Sequence, residues 1–383
     1  MLIAPETNMG SESKKMAVFK KDGVHKLGAS YIPAEIPHRK SHEEEIVRTF
    51  LPLTENKVQI PWSLLVTGPS GTGKTVTVKK AINSILRIAR ERGTKLLTSY
   101  LNCRFASTDF SLAQMIVISA IRDISSRGFG VTELISATES YLREEGANMI
   151  LVLDDFDVFF RANRYRSKTI DELLKVHESG YGRIYTVLVA VEDISQSFQE
   201  KWISNYVWRT REKYRPYTYE EVFEILSNRT EEAFQPGAMN EDLILMASRM
   251  TEKFGYGSAR YGLELMLASG LEAEWRQVQR VMPEHLRIAQ GRIESVLSFE
   301  TIKSLSESAK IALSKLVNLL KENDLAYIDL KDSLPELDKN IMAELKRLDL
   351  EGLLDFLDRG VVKVGLIGCP AESLGRFLNS TST

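Results

Sequence analysis

Gly68-Pro69-Ser70-Gly71-Thr72-Gly73-Lys74-Thr75 follows the short apolar run Ser63–Thr67 and precedes Val76–Arg92, whose apolar residues recur at helical spacing. The octet fits G-x-x-x-x-G-K-[ST]. Its glycines let the backbone curl so that successive N–H groups face one phosphate cluster. The helix that follows adds its positive N-terminal end. Lys74 is expected to reach the β- and γ-phosphates of a nucleotide, and Thr75 to offer its hydroxyl to Mg²⁺. Pro69, Ser70, Gly71, Thr72, Gly73, Lys74, Thr75 and Val76 form the expected nucleotide-contact stretch.

The second half of such a site is Met149–Asp155, an apolar run that ends in two carboxylates. A run apolar at every position is expected of a strand buried on both faces. Asp154 is expected to hold Mg²⁺ and Asp155 to polarise the attacking water. Asp155 stands where most ATPases of this kind carry Glu, one methylene longer, so its reach toward water is poorer.

Outward from these two stretches, helical and strand-like segments alternate from about 40 to 215: Lys95–Asn102, Met149–Leu153 and Ile184–Val191 as strands, Phe110–Ser125, Val131–Glu144 and Thr169–Glu178 as helices. That alternation predicts a parallel sheet flanked by helices, an α/β fold. After Pro216 four helical segments follow without a strand, predicting an all-α domain. From Ser298 a third unit mixes helices 300–321, 331–335 and 338–350 with an extended piece Ala326–Leu330 and a hairpin in Leu353–Val364 that turns at Arg359-Gly360. The predicted organisation is a mobile polar tail 1–30, a nucleotide-binding domain 31–215, an all-α domain 216–297 and a C-terminal α+β domain 298–383.

The whole chain has 383 residues, 43% hydrophobic and 27% charged, with a formal net charge of −2. These values exclude collagen-like or wholly disordered chains and a chain-wide basic field for nucleic acid. Two cysteines, Cys103 and Cys369, make neither a disulfide framework nor a four-cysteine zinc site, and fit a reducing, cytoplasmic setting. No apolar run approaches the roughly 18–20 residues that span a bilayer, and no signal-peptide pattern is expected at the start.

With these motifs in place the chain resembles AAA+ ATPases, and more narrowly archaeal Orc/Cdc-type replication initiators, as a divergent paralogue. Tyr31-Ile32-Pro33 through His38-Arg39 resembles the family segment that closes over adenine. Tyr100-Leu101-Asn102-Cys103 resembles its second strand. Arg215-Pro216-Tyr217 with Ile225 resembles the entry into its lid. Gly257-Ser258-Ala259-Arg260 resembles its sensor-two helix, where the Arg contacts the γ-phosphate. The resemblance implies a P-loop AAA+ domain, an all-α lid and a winged helix. It implies ATP or ADP with Mg²⁺ as ligands, held by Tyr31, Ile32, His38, Arg39, the loop residues, Tyr217, Ile225 and Arg260, with Lys74, Asp155 and Arg260 catalytic. It also implies double-stranded origin DNA, other initiator paralogues and the replicative helicase as partners, at the nucleoid and away from membranes. On physical grounds, a cation at Arg260 could tie a conformational switch to the ATP or ADP state.

Two departures point to slow turnover. Glu192 and Asp193 lie where the family carries a polar amide, and a carboxylate there repels γ-phosphate unless protonated or paired. Arg209 and Arg211 lie in the stretch of the arginine finger, without a firm correspondence. For DNA, the resemblance offers Arg127 in a helical insertion and, in the winged helix, Lys339, Lys346, Arg347, Arg359 and Gly360, with Lys363 on the same basic face. Residues 300–383 nevertheless carry 11 Lys and Arg against 14 Asp and Glu. That excess favours an alternative, a nucleotide-sensing regulator whose winged helix docks protein. A clamp-loader-like subunit is a third reading, less easily squared with such a C-terminal domain.

Overall fold

A computed structural model describes residues 17–55, 63–121, 128–178, 182–194, 210–293, 300–358 and 360–381. Arg127, Arg209 and Arg359 lie outside the described residues. Internal contacts divide the chain into two compact units.

The first unit comprises Ile32–Glu221 with Tyr256–Arg260. Its five strands are β1 (Ser63–Thr67), β2 (Leu96–Asn102), β3 (Asn148–Asp154), β4 (Ile184–Ala190) and β5 (Thr210–Lys213), in the spatial order β2-β3-β4-β1-β5. Every pairing is parallel, as the alternating pattern predicts. β3 shows why Met149–Leu153 lacks polar residues. Met149, Leu151 and Leu153 enter one apolar cluster with Leu112, Ile116 and Phe156. Ile150 and Val152 enter another with Ile46, Phe50, Val78 and Ile85. Successive side chains point to opposite faces, and helices cover both. Each fully buried Leu or Ile contributes about 1.5–3 kcal/mol. β5, polar and four residues long at the sheet edge, is absent from the sequence reading because it offers no apolar alternation.

The strands place the chemistry. β1 runs beside β4 with Thr67 opposite Ala190, so the loop after β1 emerges next to the end of β4, and Gly68 N donates to Val191 O at 3.3 Å. β2 runs beside β3 with Asn102 opposite Asp154. The ends of three strands therefore meet around one loop.

The second unit comprises residues 17–31, Val222–Gly255 and 261–381. Residues 17–30 do not form the mobile tail expected from their lysines. Val18 and Phe19 are buried, Phe19 packs on Phe234 with ring centroids 4.8 Å apart, and Glu274 accepts from Val18 N at 3.0 Å. Two apolar residues and Leu27 anchor a segment whose composition is otherwise polar. Helices Tyr219–Ala233, Glu241–Lys253, Ala259–Trp275 and Pro283–Ile293 follow the all-α expectation.

Further on, helix Glu307–Glu322, β6 (Tyr327–Asp329), helices Leu330–Ser333 and Lys339–Leu350, then β7 (Leu354–Asp358) and β8 (Val362–Leu366) give the element order of a winged helix. An antiparallel sheet β6-β8-β7 closes it. The single helix expected over 300–321 is broken at Ser304–Ser306, because Ser306 Oγ caps the second piece by accepting from Ala309 N. A further helix, Ala371–Thr381, lies beyond the sequence expectation. The lid helices and the C-terminal sheet belong to one unit, although the sequence reading drew a boundary near 297.

Candidate nucleotide site

The loop Gly68–Thr75 joins β1 to helix Lys74–Glu91. Gly71 and Gly73 take φ of 75° and 91°, open to glycine at little cost. Their neighbours also leave no room for a side chain. A Cβ on Gly71 would lie 1.9 Å from Ser258 Oγ, and one on Gly73 2.6 Å from the Tyr217 hydroxyl.

Lys74 is 8% exposed, and its Nζ donates to Gly68 O at 2.6 Å and Pro69 O at 2.8 Å. Burial pulls its pKa below the usual lysine value. Asp154 and Asp157 oppose that shift and Arg260 adds to it. Arg260 NH1 lies 3.2 Å from Ser70 Oγ, and Ala259 N donates to Gly71 O at 3.0 Å. Two cations, one from the loop itself and one from the segment Tyr256–Arg260, thus meet at the same loop.

Thr75 Oγ1 donates to Asp154 Oδ2 at 3.0 Å, and the Tyr100 hydroxyl donates to the same carboxylate. Burial first, then Asp154, pushes the Tyr100 pKa up, so the phenol stays a donor. An all-oxygen pair at the helix start suits a hard cation such as Mg²⁺. Among the described residues no group of three or more His, Cys, Asp and Glu side chains could hold a metal. A cation here would draw its remaining ligands from phosphate and water.

Asp155 takes φ of 52°, a left-handed conformation that Asp tolerates. Its Oδ2 accepts from Arg104 Nε at 2.8 Å and from Asn102 Nδ2 at 3.1 Å. The carboxylate expected to polarise water is therefore held by two donors from the end of β2. Asp157, one turn on and buried, has one oxygen without a hydrogen-bond partner. Arg161 lies 3.9 Å from it and 3.3 Å from Glu192. Asp193 lies 3.7 Å from Arg211. The two carboxylates where an amide was expected are both paired, which removes the bare repulsion their sequence implied.

Arg39 is 2% exposed and donates to Thr72 O at 2.9 Å, Arg215 O at 2.7 Å and His38 O at 3.2 Å, with its guanidinium 3.9 Å from the centre of the Tyr217 ring. The first of these bonds supports the loop through its own carbonyl. Tyr217 belongs to the same support, and burial raises its pKa to about 12. His38 lies 3.7 Å from Glu221. Ile32 and Val76 are half-buried in the first unit. Tyr31 and Ile225 fall in the second unit, where the Tyr31 ring lies 4.7 Å from the Arg229 guanidinium.

A profile of the ATPase family associated with various cellular activities (AAA) matches residues 64–201, and one of the Cdc6 AAA+ ATPase-type lid domain matches residues 223–291. An ORC1-type DNA replication protein 2 of Sulfurisphaera tokodaii is 27% identical over 320 residues, spanning 81% of this chain and 75% of that protein. The chain is thus similar to archaeal Orc/Cdc-type replication initiators along most of its length. The crystal structure of Cdc6p from Pyrobaculum aerophilum superposes with a TM-score of 0.80 at 20% identity, covering 95% of this chain and 98% of that one. The ORC1 protein of Aeropyrum pernix, solved in complex with DNA, gives 0.63 at 22% identity over 94% and 97%. At those identities the likeness speaks to the fold.

The sequence reading missed Tyr100, Asn102, Arg104, Asp157 and Arg161. The signal was present in part, since polar residues follow an apolar strand at the end of β2. Only the parallel register shows that this end abuts Asp154 and Asp155. Of the expected DNA residues, Lys339, Lys346, Gly360 and Lys363 are exposed. Arg347 is exposed and donates to Ser304 Oγ at 2.9 Å. Gly360 turns the hairpin with φ of 88°.

Proposed function

We propose that this chain is an ATP-regulated replication initiator that binds duplex origin DNA, helps bring in the replicative helicase and acts beside other initiator paralogues. The observation that carries the nucleotide half is the convergence of Lys74, Arg260 and the Thr75–Asp154 pair on one loop. ATP would lie along Gly68–Val76, with Lys74 and Arg260 on its phosphates and Thr75 and Asp154 holding Mg²⁺. Exchange of ATP for ADP removes the phosphate nearest Arg260, and that loss is the proposed conformational switch.

Hydrolysis on this reading is slow. Asp155 is shorter than the usual Glu, and Arg104 and Asn102 occupy the oxygen that would accept a proton from water. The chain would work in the cytoplasm at the nucleoid. Among the described residues no helix is long and apolar enough to cross a membrane.

For the duplex half, helix Lys339–Leu350 is the proposed major-groove reader and the β7–β8 hairpin the proposed wing, with residues 125–130 as a second contact. The rival reading, a protein-docking winged helix, rests on the acid excess of residues 300–383. Glu344, Asp349 and Asp355 equal that excess, and all three are engaged inside the protein. The test is duplex binding by the full chain across a salt series. A steep fall of log affinity with log salt supports the initiator. No binding at low salt supports the docking module.

A further inference from the structure

Two cations of the lid helix Glu241–Lys253, Arg249 and Lys253, stand one turn apart and so share a face. Arg249 donates to Asp355 from Nε at 3.1 Å and from NH2 at 2.9 Å, and Asp355 on β7 is fully buried. The Tyr327 hydroxyl of β6 donates to the same carboxylate at 2.9 Å. Burial alone would lower the Arg249 pKa, but Asp355 more than offsets it and the net shift is upward. Lys253 Nζ donates to Leu354 O at 2.9 Å and to Asp349 O at 3.1 Å, and pairs with the Asp349 carboxylate. The last contact also places a cation at the negative end of helix Lys339–Leu350.

A second seam runs parallel. Arg287 of the lid, 1% exposed, donates to Leu366 O at 2.9 Å and Leu325 O at 3.3 Å. Glu284 beside it accepts from Ala371 N at 3.1 Å.

The consequence falls on the proposed DNA-reading helix. Its two acids are turned away, Asp349 to Lys253 and Glu344 to Ser306, which donates to it from N at 2.8 Å and from Oγ at 2.7 Å. The exposed residues of that helix are then Lys339, Asn340, Ala343, Lys346, Arg347 and Leu350, with no acid among them. Asp338, the N-cap of that helix, Glu351, just past its end, and Asp358 on the wing remain exposed.

We propose that Arg249 and Lys253 are positioning residues for DNA binding: by drawing Asp355 and Asp349 onto the lid, they fix the reading helix in place and leave a basic face on an otherwise acidic domain. This rests on the duplex-binding reading above. A buried pair of this kind adds little net stability over apolar replacements, so orientation is the better account of its presence. The lid and the reader fall in one compact unit.

The test uses the full chain with Arg249→Met, the milder Lys253→Ala, and Arg249→Lys as the conservative rescue. Hydrogen exchange across 339–358 and duplex affinity are measured together, with ATP affinity as the control. The expected result is faster exchange in 339–358, duplex affinity lower by roughly tenfold for Arg249→Met and roughly threefold for Lys253→Ala, and unchanged ATP affinity. Arg249→Lys recovers part of both losses. Unchanged exchange, or faster exchange with undiminished duplex affinity, overturns the proposal. Failure of the wild type to bind duplex would sink the initiator reading instead, and the exchange arm would still decide whether the lid fixes the helix.

Discussion

At the phosphate loop the cation Lys74 is nearly buried, its ammonium held by carbonyls of its own loop. On helix Lys339–Leu350 the cations stand exposed, and it is the acids that are tucked away. Both regions carry positive charge, but the first gathers cations and backbone N–H groups and the second turns its anions aside. The first device is local, because its glycines, lysine and threonine are consecutive. The second is long-range, because Arg249 and Asp355 are 106 positions apart. On the proposed reading, one holds a compact ligand tightly and the other meets a polyanion whose contacts are individually weak and screened by salt.

The sharpest way to break this contrast is Asp355→Ala in the full chain. It takes the shared acceptor from half-buried Arg249, which keeps Glu252, and from the buried Tyr327 hydroxyl, and denaturant unfolding is expected to show a loss of about 3 kcal/mol. A loss near that of an ordinary surface substitution would mean the seam is solvated and the two regions are more alike than described.

Next in size, Lys74→Ala should weaken ATP about 100-fold, or about 2.7 kcal/mol, in a calorimetric titration, with a thermal midpoint close to wild type. A large drop in the midpoint would show that Lys74 is chiefly structural. Arg104→Ala frees one side of Asp155, and steady-state phosphate release is expected to rise roughly threefold to tenfold at unchanged ATP affinity. A fall in rate would assign Arg104 to the reaction itself. The smallest effect belongs to Lys346→Ala. Duplex affinity should drop several-fold and the salt slope by about 1, equally for any sequence. An unaltered slope would remove Lys346 from the phosphate-contacting face.

Legibility followed the same divide. Gly68–Thr75 and Met149–Asp155 read directly because each is contiguous and its residue types serve one purpose. The parallel sheet read correctly from uninterrupted apolar runs such as Ile184–Ala190, all buried. Residues 17–30 misled because charge outnumbers the anchors Val18 and Phe19, and burial depends on what waits at Phe234. The bonds of Arg39 to loop and backbone carbonyls were not legible, because the same side chain can face a ligand or a carbonyl. A charge count over 300–383 decides least, since a sum carries no direction. Asp355 enters that sum like any acid, yet it is spent on Arg249 and Tyr327.

Calorimetric titration of Mg²⁺-ATP into the full chain and into its Arg260→Ala variant tests the central site most directly. The arrangement of Lys74, Thr75, Asp154 and Arg260 predicts saturable one-to-one binding by the wild type, and weaker ATP binding by Arg260→Ala with ADP affinity nearly preserved. Absence of heat from the wild type, together with no upward shift of its melting temperature in Mg²⁺-ATP, would contradict the account.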